Sequence, residues 1–188
     1  RETLRKGLLP VELIASHPGF LRPCHGIPLP SRHRLPWYAV DLARTPRGEW
    51  WALADYTQAP AGAGYALENR LVMSRILPSL FRDSHVHRLS LFFRTLRATL
   101  ASMSAREDHR IILLTAGPEN ETYFEHAYLA KYLGYTLVQG ADLTVRDGKV
   151  RLKTLGGLQP VDVILRRVND IFCDPLELRP DSYSGIAG

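Results

Sequence analysis

The chain has 188 residues, of which 45% are apolar, and a formal net charge of +5. That is enough apolar side chain for one good core or two small lobes, which excludes a wholly disordered chain. No run approaches the roughly 20 apolar residues of a membrane span, no signal-like apolar core follows Arg1 to Lys6, and Cys24 and Cys173 form no CxxC, so a cytoplasmic protein without a disulfide framework or zinc knuckle is expected.

Residues 1–36 are rich in Pro and Gly, from His17-Pro18-Gly19 through Pro23, Gly26, Pro28, Pro30 and Pro36, which predicts an irregular arm without long elements. Trp37 to Arg44 and Glu49 to Asp55 flank Thr45-Pro46-Arg47-Gly48 and predict a two-stranded ribbon. If Arg44 pairs with Glu49, Asp41 faces Ala52. Ala54 and Tyr56 then lie on the face of Asp41, and Asp55 on the other.

The small residues of Gln58 to Gly64 predict a flexible or close-approach loop ahead of a helix from about Ala66 to Leu77, stopped by Pro78. Between His87 and Met103 the apolar residues Leu89, Phe92, Phe93, Leu96, Leu100 and Met103 recur at three and four, the stripe of an amphipathic helix. Ile111 to Leu114 reads as a strand running into a Thr115 to Asn120 loop. Thr122 to Leu133 then reads as a helix capped by Gly134, and Thr136 to Val138 as a second strand. These make a βαβ unit whose loop lies where open α/β sheets bind ligands. Asp147-Gly148 predicts a hairpin between Asp142–Val145 and Val150–Lys153, and Val161 to Arg166 a further strand.

The words from Ala54 to Arg70, from Asn120 to Ala130 and from Asp162 to Asp170 resemble the circularly permuted ATP-grasp type 2 family, whose members include glutathionylspermidine-synthase relatives; the likeness runs from about His17 onward, in order. The resemblance implies an α/β fold in permuted order. Residues 37–105 would then be part of the ATP-grasp catalytic lobe, and 106–188 a Rossmann-like pre-ATP-grasp domain. It also implies that family members continue beyond Gly188 into nucleotide-clamping strands and phosphate-binding lysines, so that the chain is an N-terminal fragment inactive alone.

An ATP-grasp ligase forms an acylphosphate from a carboxylate and ATP, and an amine then displaces phosphate. Such chemistry needs Mg²⁺ on converging oxygen ligands. By resemblance Asp41 is the metal ligand of the first strand, while the Glu and Asn positions of the second strand are Ala54 and Tyr56. From the residues alone, a solvated strand carboxylate paired with Arg44 or another base is the stronger reading of Asp41. The family words also point to Gly62, Gly64, Asn69 and Asn120 as nucleotide-binding positions and to Arg70 and Arg166 as catalytic ones. Each has a plain structural alternative: a compact turn for the glycines, a solvent-facing helix for Asn69 and Arg70, a helix cap for Asn120, and ion pairing with Asp162 or Asp174 for Arg166. Glu125 and His126 are adjacent and point in different helical directions, and His126 reads as a packed histidine.

The partners implied are ATP and Mg²⁺ with peptide-like acid and amine substrates in an intact parent, and self-association through unpaired strand edges. Scattered arginines argue against a nucleic-acid surface. The alternative from another class is a scaffold or partner-binding module that keeps the fold without the chemistry.

Overall fold

The computed structural model of the chain describes residues 2–28 and 35–188, and the chain divides into two units, 1–32 and 33–188. In the first unit the Pro- and Gly-rich sequence supports only α1 (Glu2–Arg5), α2 (Val11–Ala15) and a 3-10 turn at Arg22–Cys24. None of its described residues is buried, and Leu8, Val11, Leu13 and Ile27 are exposed. Residues 29–34 of the expected arm, Pro30 among them, lie outside the described residues.

The second unit begins with a ribbon of β1 (Ala39–Arg44) and β2 (Trp50–Tyr56). Gly48 (φ 87°) closes its turn, with the Gly48 N–H donating to Thr45 O (2.9 Å) and Thr45 N–H to Glu49 O (2.9 Å). Arg44 therefore pairs with Trp50, not Glu49. A bulge between Asp41 and Leu42 then advances the partner strand, so that Asp41 faces Ala54 and Ala39 faces Tyr56. The register expected for Asp41 is corrected by two residues, and an even shift leaves the faces unchanged.

The helices follow as α3 (Ala63–Ile76), α4 (Pro78–Asp83) and α5 (Ser90–Ala101). Pro78 both stops α3 and starts α4, because a first-turn residue needs no backbone N–H. The stripe of α5 buries Phe93, Leu96 and Leu100, as its periodicity predicts.

A parallel three-stranded sheet, in the order β4 (Thr136–Val138), β3 (Ile111–Leu114), β8 (Val163–Arg166), forms the centre. Helix α6 (Tyr123–Leu133) crosses from β3 to β4 and ends at Gly134, whose φ of 75° suits glycine. Alternation along β3 divides the core. Ile111 and Leu113 pack with Leu67, Phe93, Leu96, Leu129 and Leu133 from the helices. Ile112 and Leu114 pack with Val138, Leu143, Leu152 and Val168 on the other face. That second face is covered by an antiparallel meander of β5 (Leu143–Arg146), β6 (Lys149–Thr154) and β7 (Gly157–Pro160). Asp147 and Gly148, both at positive φ, make the expected tight turn of its first hairpin. β7 is not expected from its sequence, because Gly-Leu-Gln-Pro has turn chemistry; it forms as an edge strand, where proline is tolerated.

Candidate functional site

At the carboxyl ends of β3 and β8 a cleft of about 410 Å³ is lined by Ala61, Asn120, Thr122, His126, Arg167 and Asn169. Beside it, the Gln58–Gly64 loop is fastened to α6 by one carboxylate. Glu125, fully buried, accepts the Gly62 N–H at both oxygens (2.8 and 2.9 Å) and the Gly64 N–H at Oε1 (2.8 Å). Glycine is required at 64 because a Cβ there would lie 2.7 Å from Glu125 Cγ. The left-handed Gly62 (φ 108°) lets the loop present its own amide and that of Gly64 to the same acceptor.

Arg167 supports the same loop from the sheet. Its backbone N–H continues the ladder to Leu114 O (2.8 Å), Nη2 donates to Pro60 O (2.7 Å), and the guanidinium stacks 4.8 Å from the Trp37 ring. Burial pulls its pKa down and Glu125 opposes that shift. Its Nε is buried without a partner among the described residues.

His126 faces the other way from Glu125, as adjacent helical positions must. Thr115 Oγ1 lies 2.8 Å from Nδ1, and Thr122 Oγ1 lies 3.0 Å from Nε2. Burial, with Arg167 adding to it, lowers the His126 pKa from 6.5 to about 4, so the ring is neutral near pH 7. Donor and acceptor bookkeeping then assigns the tautomer. Thr122 Oγ1 donates to Asn120 Oδ1 (2.6 Å), so Nε2–H donates to Thr122, and the Thr115 hydroxyl donates to Nδ1 while accepting the Gly117 N–H (3.2 Å).

The candidate residues fall into separate settings. Asp41 is exposed on the ribbon and accepts the Tyr56 hydroxyl at Oδ2 (2.8 Å), a bond that raises the Tyr56 pKa. Asp55, on the opposite face, accepts the Tyr38 hydroxyl. The amides of Gly62 and Gly64 are turned to Glu125, so they form no open phosphate cradle. Asn69 is exposed on α3. Arg70 Nη1 donates to His87 O, tying α3 to the segment ahead of α5. Asn120 is not the cap of α6, which is Thr122. Instead it accepts the Thr122 N–H (2.9 Å) in a turn one step earlier. Arg166 holds the turn that follows β8 through Val168 O (2.6 Å). Asp162, one of its two expected partners, pairs with Arg106 (3.2 Å). No hydrogen bond or ion pair joins Asp41, Arg70 and Arg166 to one another among the described residues.

The acceptor role of Glu125 and the buried place of Arg167 are not visible in the sequence. The available signal was a glycine pair two apart, whose amides need an acceptor wherever a loop packs onto a helix. Nor do the described residues fit a Mg²⁺ centre. They contain no group of three His, Cys, Asp or Glu side chains able to hold a metal ion, and on the Asp41 face the neighbours are a methyl and a phenol. No helix among the described residues is long and apolar enough to cross a membrane.

Comparison with known proteins gives related sequences of greater length. The chain is 43% identical over 190 residues to an uncharacterized protein of Mycobacterium tuberculosis, covering all of this chain and 22% of that protein. A second uncharacterized protein of that organism is 40% identical over 192 residues, with 100% and 34% covered. One of Synechocystis is 37% identical over 187 residues, with 98% and 39% covered. The chain thus spans between about a fifth and two fifths of the length of these relatives. The family model for circularly permuted ATP-grasp type 2 matches residues 1–188, and the chain belongs to that family.

Proposed function

We propose that this chain is a non-catalytic part of an ATP-grasp protein related to ATP-dependent carboxylate–amine ligases, and that nucleotide chemistry requires a longer protein containing it. In this reading the β1–β2 ribbon belongs to the ATP-grasp lobe and residues 106–188 form the Rossmann-like domain, in permuted order. ATP, Mg²⁺ and the peptide-like acid and amine are ligands of the longer protein. The observation that carries the reading is the face of the ribbon, where Asp41 is joined by Ala54 and Tyr56 in place of further oxygen ligands. A lone carboxylate binds Mg²⁺ only when phosphates and water supply the rest of an octahedron. The amides tied to Glu125 add that the glycine loop has a structural duty already.

The test is calorimetric titration of ATP with Mg²⁺ into residues 1–188 and into the longer protein side by side. Binding to the longer protein alone is expected; binding of equal affinity to both overturns the reading. The exposed apolar side chains of the ribbon, Leu42, Trp50, Trp51 and Leu53, favour a second reading as a scaffold that docks a protein surface after loss of the metal ligands. Restoring the oxygens with Ala54→Glu and Tyr56→Asn in the longer protein separates the two. A gain in Mg²⁺-dependent ATP turnover ties the present ribbon to ligand loss, and no gain removes that explanation.

A further inference from the structure

A second cleft lies at the opposite, amino end of β3. It has a volume of about 420 Å³, and Arg97, Arg106, His109, Arg110 and Tyr135 border it, with Asp108 as the acidic side chain of its wall. Two of these residues carry buried polar atoms without a partner among the described residues, Arg110 Nε and Tyr135 Oη. A buried donor left unmade costs roughly 1–3 kcal/mol, so each of these two calls for an acceptor. Arg106 is neutralised by Asp162, whose Oδ2 also accepts the Arg110 N–H (2.8 Å). Arg97 and the Arg110 guanidinium have no ion pair among the described residues. Burial raises the Tyr135 pKa while Arg97 opposes it, so the phenol keeps its proton and serves as a donor.

The carbonyl end of α6 also borders this cleft and would repel an anion. Its last turn is closed, however: Tyr135 N–H donates to Ala130 O (2.9 Å) and Gly134 N–H to Lys131 O (3.3 Å). The residues that line the cleft thus carry excess positive charge, Arg97 and Arg110 besides the paired Arg106 against the single Asp108, and leave little apolar wall. We propose that this cleft binds a phosphate or pyrophosphate group of a small molecule, with Arg110 and Arg97 as charged donors and the Tyr135 hydroxyl as a neutral one. Guanidinium forks match the paired oxygens of a phosphate. The site is distinct from the cleft at the carboxyl ends of the strands and uses neither Asp41 nor the glycine loop.

The experiment is titration of inorganic pyrophosphate, without Mg²⁺ and at fixed ionic strength, into the 188-residue chain and four variants. Saturable one-site binding is expected. Arg110→Gln and Tyr135→Phe should each weaken it about tenfold, the loss of one hydrogen bond to a charged group. Arg47→Gln, on the distant ribbon turn, should leave it unchanged. Absence of saturable binding, equal weakening in Arg47→Gln and Arg110→Gln, or undiminished affinity in Tyr135→Phe each overturns the proposal. Should Arg110→Gln disturb the fold by circular dichroism, Tyr135→Phe and the exposed Arg97→Gln decide the matter by the same measure.

Discussion

The ribbon and the central sheet invert the usual distribution of side chains. On the ribbon Trp50, Trp51 and Leu53 are each more than 60% exposed, while around the sheet Glu125, His126 and Arg167 are 0%, 1% and 5% exposed. The polar side chains buried beside the sheet are tolerated because each is bonded: three amide contacts on Glu125, a carbonyl and a ring on Arg167, two hydroxyls on the neutral His126. Burial of charge at this end of the sheet is therefore a fastening, whereas exposure of tryptophan on the ribbon leaves a surface free for contact. The difference teaches that fastening and open apolar surface have been placed in different parts of the unit.

Removing the fastening should have the largest effect. Glu125→Ala leaves Arg167 without its nearby counter-charge and two loop amides without an acceptor, and should cost about 3–5 kcal/mol in urea unfolding; a loss below about 1 kcal/mol would break the comparison. Next comes pH. The folded His126 pKa of about 4 lies below the unfolded value near 6.5, so between these values the unfolded chain binds more protons. Stability should then be full above pH 6.5 and fall by on the order of 3 kcal/mol as the pH drops to about 4. His126→Asn should flatten that part of the profile. Gly64→Ala pushes a methyl against Glu125 and should cost about 1–3 kcal/mol, read by the same urea midpoint. On the ribbon, Leu53→Ser should change stability by less than about 0.5 kcal/mol, and a larger loss would mean the ribbon is not an open surface.

Much of the architecture is legible locally. The 3-4 stripe of α5, the βαβ order around α6, the Gly134 cap and the Asp147-Gly148 turn are all written in contiguous residues, and each forms where its pattern predicts. Departures arise where a neighbour decides. The bulge between Asp41 and Leu42 shifts the pairing in mid-strand, where no turn residue marks it, and Asn120 yields the cap to Thr122 because its own side chain is spent two residues on. The site was less legible for the same reason. Glu125 reaches amides 61 and 63 residues away, and no local periodicity records such a contact. Arg70 and Arg166 illustrate the converse, since a guanidinium that suits a substrate is equally suited to holding a backbone carbonyl.

The hydroxyls around His126 carry a consequence for where acid loosens the molecule. With the ring neutral, every hydrogen from Gly117 to Asn120 points along one direction of travel. A proton arriving on Nδ1 turns that atom from acceptor to donor. Thr115 must then receive two hydrogens and swing its own away from the ring, into surroundings where the neutral form needed no acceptor. The loop joining β3 to α6 is thus a place where acid meets a bond it cannot reorient without loss, and protonation of the ring should loosen that loop.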